Sequence, residues 1–332
     1  MSIFSGEINS QREERIISVE DLTKVYPSGY LSRKKSNKLA VEAIDFHVNR
    51  GEIFGLLGPN GAGKTTTIKM LATLLLPTSG KAEVLGMDVV KNVMEIRSRI
   101  NLVMGGERGL YYRITGRQNL QFFSNLYKVP PSIREERIDE LLEIVGMAEV
   151  ADKRVEDYSR GMKQRLHLAR GLVNNPEILF LDEPTIGLDP EIAREMRLVI
   201  RDMACKGRTV LLSTHDMPEA EFLCDRIALI SKGRIVALGT PSQLKELVER
   251  RSIIEIEMEG VTENMITSIE MMDGVEAVST HHDNGRSTMR VQVEIGADMI
   301  SSITSKLSGS RLIRITTEEP TLEDAFISLV RR

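Results

Sequence analysis

The 332-residue sequence contains no tryptophan and only two cysteines, Cys205 and Cys224. Two cysteines are too few for a disulfide framework, and their spacing matches no metal site, as is typical of proteins from a reducing cytoplasm. No uninterrupted apolar run approaches the roughly 18–20 residues that a membrane-spanning helix needs. The first residues also lack the apolar core of a signal peptide. We therefore expect a cytoplasmic protein that acts at a membrane only through a partner.

An excess of charge of one sign is also lacking. The formal net charge is −4 and 28% of the residues are charged, so the composition offers no basic face for binding nucleic acid. The apolar content of 41% is ordinary for a soluble globular protein. Because a domain usually holds about 100–200 residues, the length predicts about two domains.

Strand-like and helix-like patterns alternate along the first part of the chain. Two short apolar runs, at residues 178–181 and 209–213, are separated by a helical segment, which is typical of parallel strands covered on both faces. Between Gly116 and Met147 the apolar residues recur at helical spacing. These patterns predict an α/β core with a mixed sheet and a helical subdomain inserted between its strands.

The charged segment from Leu244 to Arg251 predicts a helix that serves as a linker, and a different pattern follows it. Ile254, Ile256 and Met258 alternate with acidic residues, as in a half-buried strand. The order strand, helix, strand, strand, helix, strand then predicts a small α+β domain with a ferredoxin-like, split β-α-β arrangement. We therefore expect the core over residues 1–244, with the helical subdomain at about 107–175, and an accessory domain over 245–332.

One stretch of the core carries the strongest chemical signal. It matches the phosphate-loop pattern G-x-x-x-x-G-K-[ST] at every fixed position, with Gly58, Pro59, Asn60, Gly61, Ala62, Gly63, Lys64 and Thr65. A buried-strand pattern precedes it, and a helical pattern that ends near Leu76 follows it. Backbone N–H groups and the positive end of the helix dipole therefore converge. Lys64 can then reach the terminal phosphates of a nucleoside triphosphate, and the Thr65 hydroxyl can bind Mg²⁺.

A second signal comes directly after the apolar run at residues 178–181. Asp182 and Glu183 lie there, at the carboxyl edge where α/β sheets bind ligands. Asp182 can hold Mg²⁺ through water, and Glu183 can orient and deprotonate an attacking water. Taken alone, the pair could equally be an acidic turn before Pro184. Beside a phosphate loop, it indicates hydrolysis.

A second helix start lies far from the phosphate loop in the sequence. Ser159 can cap a helix that runs to about Val173, and Gly161 leaves backbone N–H groups open to an anion. An isolated Ser before Gly is an ordinary helix cap, so this pattern alone leaves both interpretations open.

Together these motifs resemble those of the ATP-binding cassette subunits of ABC transporters. Over roughly residues 16–239 they follow in the family's order, with the Walker A loop at 58–66, the signature at 158–162, Walker B at 179–184, the D-loop at 187–190 and the switch histidine segment at 213–216. The signature departs from the common form at Tyr158 and Arg160, but it keeps Ser159 and Gly161.

The resemblance implies a head-to-tail homodimer with two ATP molecules at its interface. Each nucleotide would lie between the Walker A loop of one subunit, including Thr66, and the signature of the other subunit, including Ser159, Gly161 and Met162. ATP would then close the dimer because it binds the closed state better than the open one.

The resemblance also implies roles for three further residues. Tyr26 corresponds to the aromatic residue that stacks on adenine, and His215 to the sensor of the γ-phosphate. Asp189 corresponds to the residue that couples the two nucleotide sites.

The implied use of the energy is transport through a separately encoded membrane permease, which would hold the chain on the cytoplasmic face of the cell membrane. Residues 56–69 and 319–329 resemble drug-resistance and other export-type cassettes. The alternative is a soluble ABC-type ATPase that acts in translation or DNA maintenance, although such proteins usually carry two cassettes or a long coiled-coil insertion. A regulatory module that holds ATP without cleaving it is a third class, against which Glu183 argues.

One position departs from the family pattern in a way that bears on chemistry. The family usually places a Gln after the third or fourth strand, where it touches Mg²⁺ and the transport partner, and the corresponding position here is Gly106, followed by Glu107. Two interpretations stay open. Either the Glu107 carboxylate substitutes for the Gln, directly or through water, or this loop contacts only the partner.

If the Glu107 carboxylate substitutes for the missing Gln, Glu107→Ala lowers the rate of ATP hydrolysis and changes its dependence on Mg²⁺ concentration. Steady-state hydrolysis measured over a series of Mg²⁺ concentrations checks both effects. Wild-type values for both would leave only the partner-contact interpretation.

Overall fold

The computed structural model describes residues 14–27, 38–105, 109–247, 251–283, 286–294, 299–307, 310–318 and 321–331. The chain divides into two compact units, Met1–Pro241 and Ser242–Arg332. No helix in the described ranges combines the length and the apolar character that crossing a bilayer requires.

The first unit holds two sheets and seven α-helices among its described residues. Its strands are β1 (Arg15–Tyr26), β2 (Lys38–Asn49), β3 (Ile53–Leu57), β4 (Ser79–Val84), β5 (Met87–Asp88), β6 (Ile100–Met104), β7 (Ile178–Asp182), β8 (Thr209–Thr214), β9 (Arg226–Ser231) and β10 (Arg234–Gly239). Its helices are α1 (Lys64–Leu71), α2 (Val93–Arg99), α3 (Gly116–Leu126), α4 (Pro131–Ile144), α5 (Arg160–Leu172), α6 (Pro190–Cys205) and α7 (Met217–Leu223).

A six-stranded sheet with the order β10-β9-β3-β8-β7-β6 forms the centre of this unit. The strands from β9 to β6 are parallel, and β10 pairs antiparallel at one edge. Every residue of β3, β7 and β8 is buried, because helices and a second sheet cover both faces of these apolar strands. The mixed α/β fold predicted from the sequence is confirmed.

The second sheet is antiparallel, with the order β2-β1-β4-β5. Helix α1 contacts strands of both sheets, and the apolar side chains of β1, β2, β4, α1 and the central strands form one buried cluster. The rings of Phe46 and Phe54 stack with their centroids 5.2 Å apart and so join β2 to β3. Helix α1 is therefore fixed between the sheets, and the loop before it is fixed as well.

Helices α3, α4 and α5, which lie between β6 and β7 in the sequence, pack against one another. Thr115 begins α3 with a capping box, since its hydroxyl accepts from the Gln118 N–H and the Gln118 side chain accepts from the Thr115 N–H. Pro131 occupies the first position of α4, where a missing N–H costs nothing. These local signals divide the segment into three separate helices.

The second unit contains α8 (Pro241–Glu246, which starts at the boundary), β11 (Arg251–Glu259), α9 (Glu263–Glu270), β12 (Val275–Asp283), β13 (Arg286–Glu294), α10 (Met299–Lys306), β14 (Arg311–Glu318) and α11 (Leu322–Arg331). Its sheet is antiparallel with the order β12-β13-β11-β14. Ile254, Ile256 and Met258 face a core that α9 and α10 complete with Ile269 and Ile303.

Two helix boundaries differ from the sequence prediction. The phosphate-loop helix was expected to reach Leu76, but α1 ends at Leu71. The charged segment up to Arg251 was expected to be helical, but α8 ends at Glu246 and Arg251 begins β11. The mostly apolar residues 72–76 leave the helix although several of them have good helix propensity, because tertiary context overrides propensity.

Candidate functional site

The phosphate loop joins the end of β3 to the start of α1. Gly61 and Gly63 have φ angles of 81° and 113°, which favour glycine. A Cβ on Gly58 would lie 2.1 Å from the Ile230 carbonyl oxygen, so the loop runs directly against β9. Within the described chain, the N–H groups of Asn60, Gly61 and Gly63 donate to no backbone oxygen, and α1 has no side-chain cap. These open donors make the loop suitable for an anion.

Lys64, the first residue of α1, is only 4% exposed. Its Nζ donates to the carbonyl oxygens of Gly58 at 2.6 Å and Pro59 at 3.1 Å, and it lies 3.5 Å from Glu183 Oε1. Burial lowers the pKa of Lys64, while the nearby Glu183 carboxylate opposes that shift. The two hydrogen-bond acceptors of the ammonium are neutral carbonyl oxygens, which do not neutralise its charge. That charge can therefore attract an anion.

Thr65 and Asp182 meet at the carboxyl ends of the central strands. The Thr65 Oγ1 donates to Asp182 Oδ1 at 3.0 Å, and the Ser213 hydroxyl donates to the same carboxylate oxygen. Hydroxyl and carboxylate oxygens are the hard ligands that Mg²⁺ prefers. The described ranges contain no group of three or more His, Cys, Asp or Glu side chains that could hold a metal, so an ion here would need further ligands from substrate and water.

Glu183 adopts a left-handed backbone conformation with a φ of 51°, which is strained for a residue with a Cβ. Its N–H donates to the Ser213 carbonyl at 3.0 Å. Its Oε1 lies 3.4 Å from His215 Nδ1 as well as beside Lys64. The three predicted catalytic side chains, Lys64, Glu183 and His215, therefore converge around one carboxylate oxygen.

A pocket of about 190 Å³ opens beside the phosphate loop. It is lined by Tyr26, Lys38, Ala40, Asn60, Gly61, Gly63, Lys64, Thr65, Thr66 and Glu183. Tyr26 is the last residue of β1, and its exposed ring lies 5.5 Å from Lys24 Nζ. The structure thus brings the predicted aromatic residue, the loop and the predicted base to one cavity.

The remaining predicted site residues lie elsewhere. Ser159 caps α5, since its Oγ accepts from the Met162 N–H at 3.2 Å, and Gly161 packs against Ile192. Asp189 is exposed and begins α6. None of these four predicted residues lines the pocket beside the phosphate loop, as far as the described chain shows. Gly106 and Glu107 lie outside the described residues.

Two residues at the site were missed by sequence reasoning. One is Ser213, described above. The other is Glu219, a buried residue of α7 whose Oε1 accepts from the Thr185 Oγ1 at 2.5 Å, while its Oε2 has no hydrogen-bond partner among the described residues. Burial raises the pKa of Glu219. The available signal was its position on the apolar face of α7, together with Ala220 and Leu223.

Comparison with protein-family models and known sequences gives a consistent result. The family model described as ABC transporter matches residues 41–186. The linearmycin resistance ATP-binding protein LnrL of Bacillus subtilis (strain 168) is 32% identical over 323 residues, which are 96% of this chain and 99% of LnrL. The probable multidrug ABC transporter ATP-binding protein YbhF of Escherichia coli (strain K12) is 45% identical over 232 residues, which are 70% of this chain. The match spans only 38% of YbhF.

Among solved structures, cbiO1 from Clostridium perfringens, described as part of the ABC transporter complex cbiONQ, is similar with a TM-score of 0.62. It is 30% identical, and the match covers 70% of this chain and 91% of cbiO1. The match agrees with the arrangement of sheets and helices described above.

The raised pKa of Glu219 predicts a dependence of stability on pH. Between the unfolded and the folded pKa the folded protein binds more protons, so the free energy of unfolding falls as the pH rises through this interval. Glu219→Gln removes this contribution, so its stability relative to wild type should increase with pH. Urea unfolding at several pH values measures this difference.

Glu221→Gln, an exposed substitution in the same helix, is the matched control and should follow the wild-type pH profile. Parallel profiles for Glu219→Gln and wild type would contradict the prediction.

Proposed function

The chain belongs to the family of ABC transporter ATP-binding subunits, and on that premise we propose that it hydrolyses ATP to power export through a separately encoded membrane permease. The observation that carries the proposal is the convergence of Lys64, Glu183 and His215 beside the phosphate loop. A cation for phosphate, a carboxylate for water and an imidazole are the groups that hydrolysis of a phosphoanhydride uses.

ATP binding follows from the loop. Its open N–H groups and the start of α1 face the pocket that Lys64 and Thr66 also line, so phosphate oxygens can accept from both backbone and ammonium. The phosphates would compete for Lys64 with the carbonyls of Gly58 and Pro59, its present acceptors. The exposed ring of Tyr26 gives the adenine an aromatic face on the rim of the same cavity.

Hydrolysis requires a base that is free to accept a proton. Glu183 is in contact with Lys64 and His215, and a bound phosphate chain that engages Lys64 would leave the carboxylate for the attacking water. Thr65 and Asp182 would hold Mg²⁺, which when bound neutralises charge on the phosphate oxygens. His215, partly exposed and within 3.4 Å of Glu183, would donate a hydrogen bond to the γ-phosphate.

A second copy of the chain would complete the site. The signature residues Ser159 and Gly161 and the D-loop residue Asp189 line no part of the pocket in their own subunit. Ser159 and Asp189 are exposed at helix starts, where N–H groups are available to an anion. A head-to-tail homodimer would bring them to the ATP bound by the other subunit.

A groove in the first unit would accept the permease. It has a volume of about 510 Å³ and lies between the central sheet and the helical subdomain, with apolar lining from Ala72, Leu74, Ile100, Leu102, Met104 and Tyr127. Gly105 also lines this groove, and its N–H donates to the Asp182 carbonyl at 2.7 Å. A partner segment in the groove would thus lie one hydrogen bond from the strand that carries the metal ligand.

Export is the direction that the relatives support. LnrL is named for linearmycin resistance and YbhF as a probable multidrug transporter subunit, and a transporter that confers resistance to a drug would export it. The alternative, a soluble cassette ATPase of translation or DNA maintenance, is not favoured, because these relatives are named as resistance and transporter subunits.

Glu183→Gln tests the catalytic role. The amide keeps the shape of the side chain but cannot accept a proton, so steady-state ATP hydrolysis should fall by about 10²-fold or more. The same variant should accumulate as an ATP-bound dimer, seen by light scattering after gel filtration in ATP. The exposed substitution Glu149→Gln is the control, and unchanged hydrolysis in Glu183→Gln would refute the role of the base.

Leu74→Glu tests the groove. Leu74 is 55% exposed, so a carboxylate there is tolerated in the free chain but would lose its contact with water under an apolar permease segment. We expect the membrane-bound fraction of the tagged chain to fall by about tenfold in its native host, a loss of about 1.4 kcal/mol. Leu198→Glu, at a site 50% exposed on α6, is the control. Equal membrane binding of both variants would exclude this groove.

A further inference from the structure

Arg160 occupies one of the two signature positions where the sequence departs from the common form of the family, and its side chain lies against the start of the D-loop of the same subunit. Its Nη2 donates to the Ile186 carbonyl oxygen at 3.2 Å. A Cβ on Gly187 would lie 2.3 Å from Nη2 and 2.5 Å from Cζ. The guanidinium therefore rests directly on the Gly187 backbone, and a residue larger than glycine would displace it.

Among the residues that the structure describes, the charge of Arg160 is not used in an ion pair. No carboxylate in the described residues lies within salt-bridge distance of it, whereas Arg165, on the same helix, pairs with Glu195. A backbone carbonyl is the hydrogen-bond acceptor of this exposed cation. The hydrogen bond from Arg160 to the Ile186 carbonyl neutralises no charge. Its effect is to fix the position of the loop.

The neighbouring contacts make the start of α5 and the start of α6 one packed block. A Cβ on Gly161 would lie 2.6 Å from Ile192 Cδ1. The side chain of Ile192 on α6 therefore packs directly against the backbone of α5. Arg165 and Glu195 pair across the same junction. Arg160 extends this block from the helices to the loop that precedes α6.

Ile186, the residue before the D-loop, is in turn bonded to the backbone of the proposed base. The Ile186 N–H donates to the Glu183 carbonyl at 3.3 Å, and the Leu188 N–H donates to the Thr185 carbonyl at 3.1 Å. Ile186 therefore bonds to Arg160 through its carbonyl and to Glu183 through its N–H. A displacement of the signature turn would reach the backbone of Glu183 through two hydrogen bonds.

We propose that Arg160 is a positioning residue that ties the D-loop to the signature turn of the same subunit, so that contact of the signature with ATP in one site adjusts the base of the other. This inference rests on the proposed homodimer. Each subunit would present its signature and its D-loop to the partner as a single piece. The two ATP sites would then be coupled through Arg160, and occupation of one would favour closure on the other.

The test uses the full chain and three variants. Arg160→Ala removes the tie, and Arg160→Lys keeps a charge and a donor group. Arg154→Ala is the control, because Arg154 is exposed and its ion pair among the described residues is with the nearby Glu156. The readouts are the Hill coefficient of ATP hydrolysis, and the ATP concentration for half-maximal dimerisation in the Glu183→Gln background. ATP affinity of the monomer, measured with a fluorescent ATP analogue at low protein concentration, reports on folding.

For Arg160→Ala we expect a Hill coefficient that falls to about 1 and a rise of about tenfold in the ATP needed for dimerisation, with unchanged monomer affinity. Arg160→Lys should recover part of both effects, and Arg154→Ala should match wild type. Wild-type cooperativity and dimerisation in Arg160→Ala would overturn this inference alone. Absence of ATP-driven dimerisation in the Glu183→Gln protein itself would overturn both the homodimer and the inference.

Gly187→Ala supplies an independent arm. Its Cβ would exclude the guanidinium and would also strain the backbone, because Gly187 has a φ of 66°. It should therefore raise the ATP needed for dimerisation at least as much as Arg160→Ala does. In the double variant the guanidinium is already gone. The rise in the ATP needed for dimerisation should therefore be smaller than the combined rises of the two single variants. Additive effects would show that the two residues act apart, contrary to the inference.

Discussion

The burial of one ammonium group governs the arrangement of this site. A charged side chain is costly to remove from water unless polar groups surround it, and Lys64 is 4% exposed. The carbonyls of Gly58 and Pro59 turn inward to it, and Glu183 approaches from the end of β7. Because the loop carbonyls point at Lys64, the backbone N–H groups of the loop are left to face the pocket. The feature that makes the loop bind anions is therefore the consequence of solvating its own lysine.

Local patterns predicted the parts of this site that lie within one stretch of sequence. The phosphate loop and the acids after β7 follow from strand, turn and helix signals over a few residues. Ser213 and Glu219 could not be found in this way, because their importance depends on which strands are neighbours. Ser213 pairs with Asp182 across β8 and β7, and Thr185 reaches Glu219 across 34 positions of sequence. The strand order β3-β8-β7 decides these contacts, and no local pattern specifies it.

The same reasoning explains how the fold prediction succeeded and where it failed. Continuous apolar runs with acids or glycine at their carboxyl ends identified the buried parallel strands, since such strands show no alternation. The ends of α1 and α8 were placed wrongly because helix propensity continues past the point where packing stops. Residues 72–76 follow a helix held between two sheets, and the chain must turn there to enter β4.

Glu183 is strained, and glycines on two sides explain why the strain can be maintained. A Cβ on Gly105 would lie 2.5 Å from the Glu183 carbonyl oxygen, so β6 supports the backbone from the side of the groove. The D-loop supports it from the other side, with Gly187 held under Arg160. A left-handed residue costs of order 1–3 kcal/mol and persists only where its surroundings over-determine it. The proposed base is therefore placed by two segments that belong to different proposed interfaces, one with the permease and one with the second subunit. Its position would respond to both partners, which is what coupling hydrolysis to transport requires.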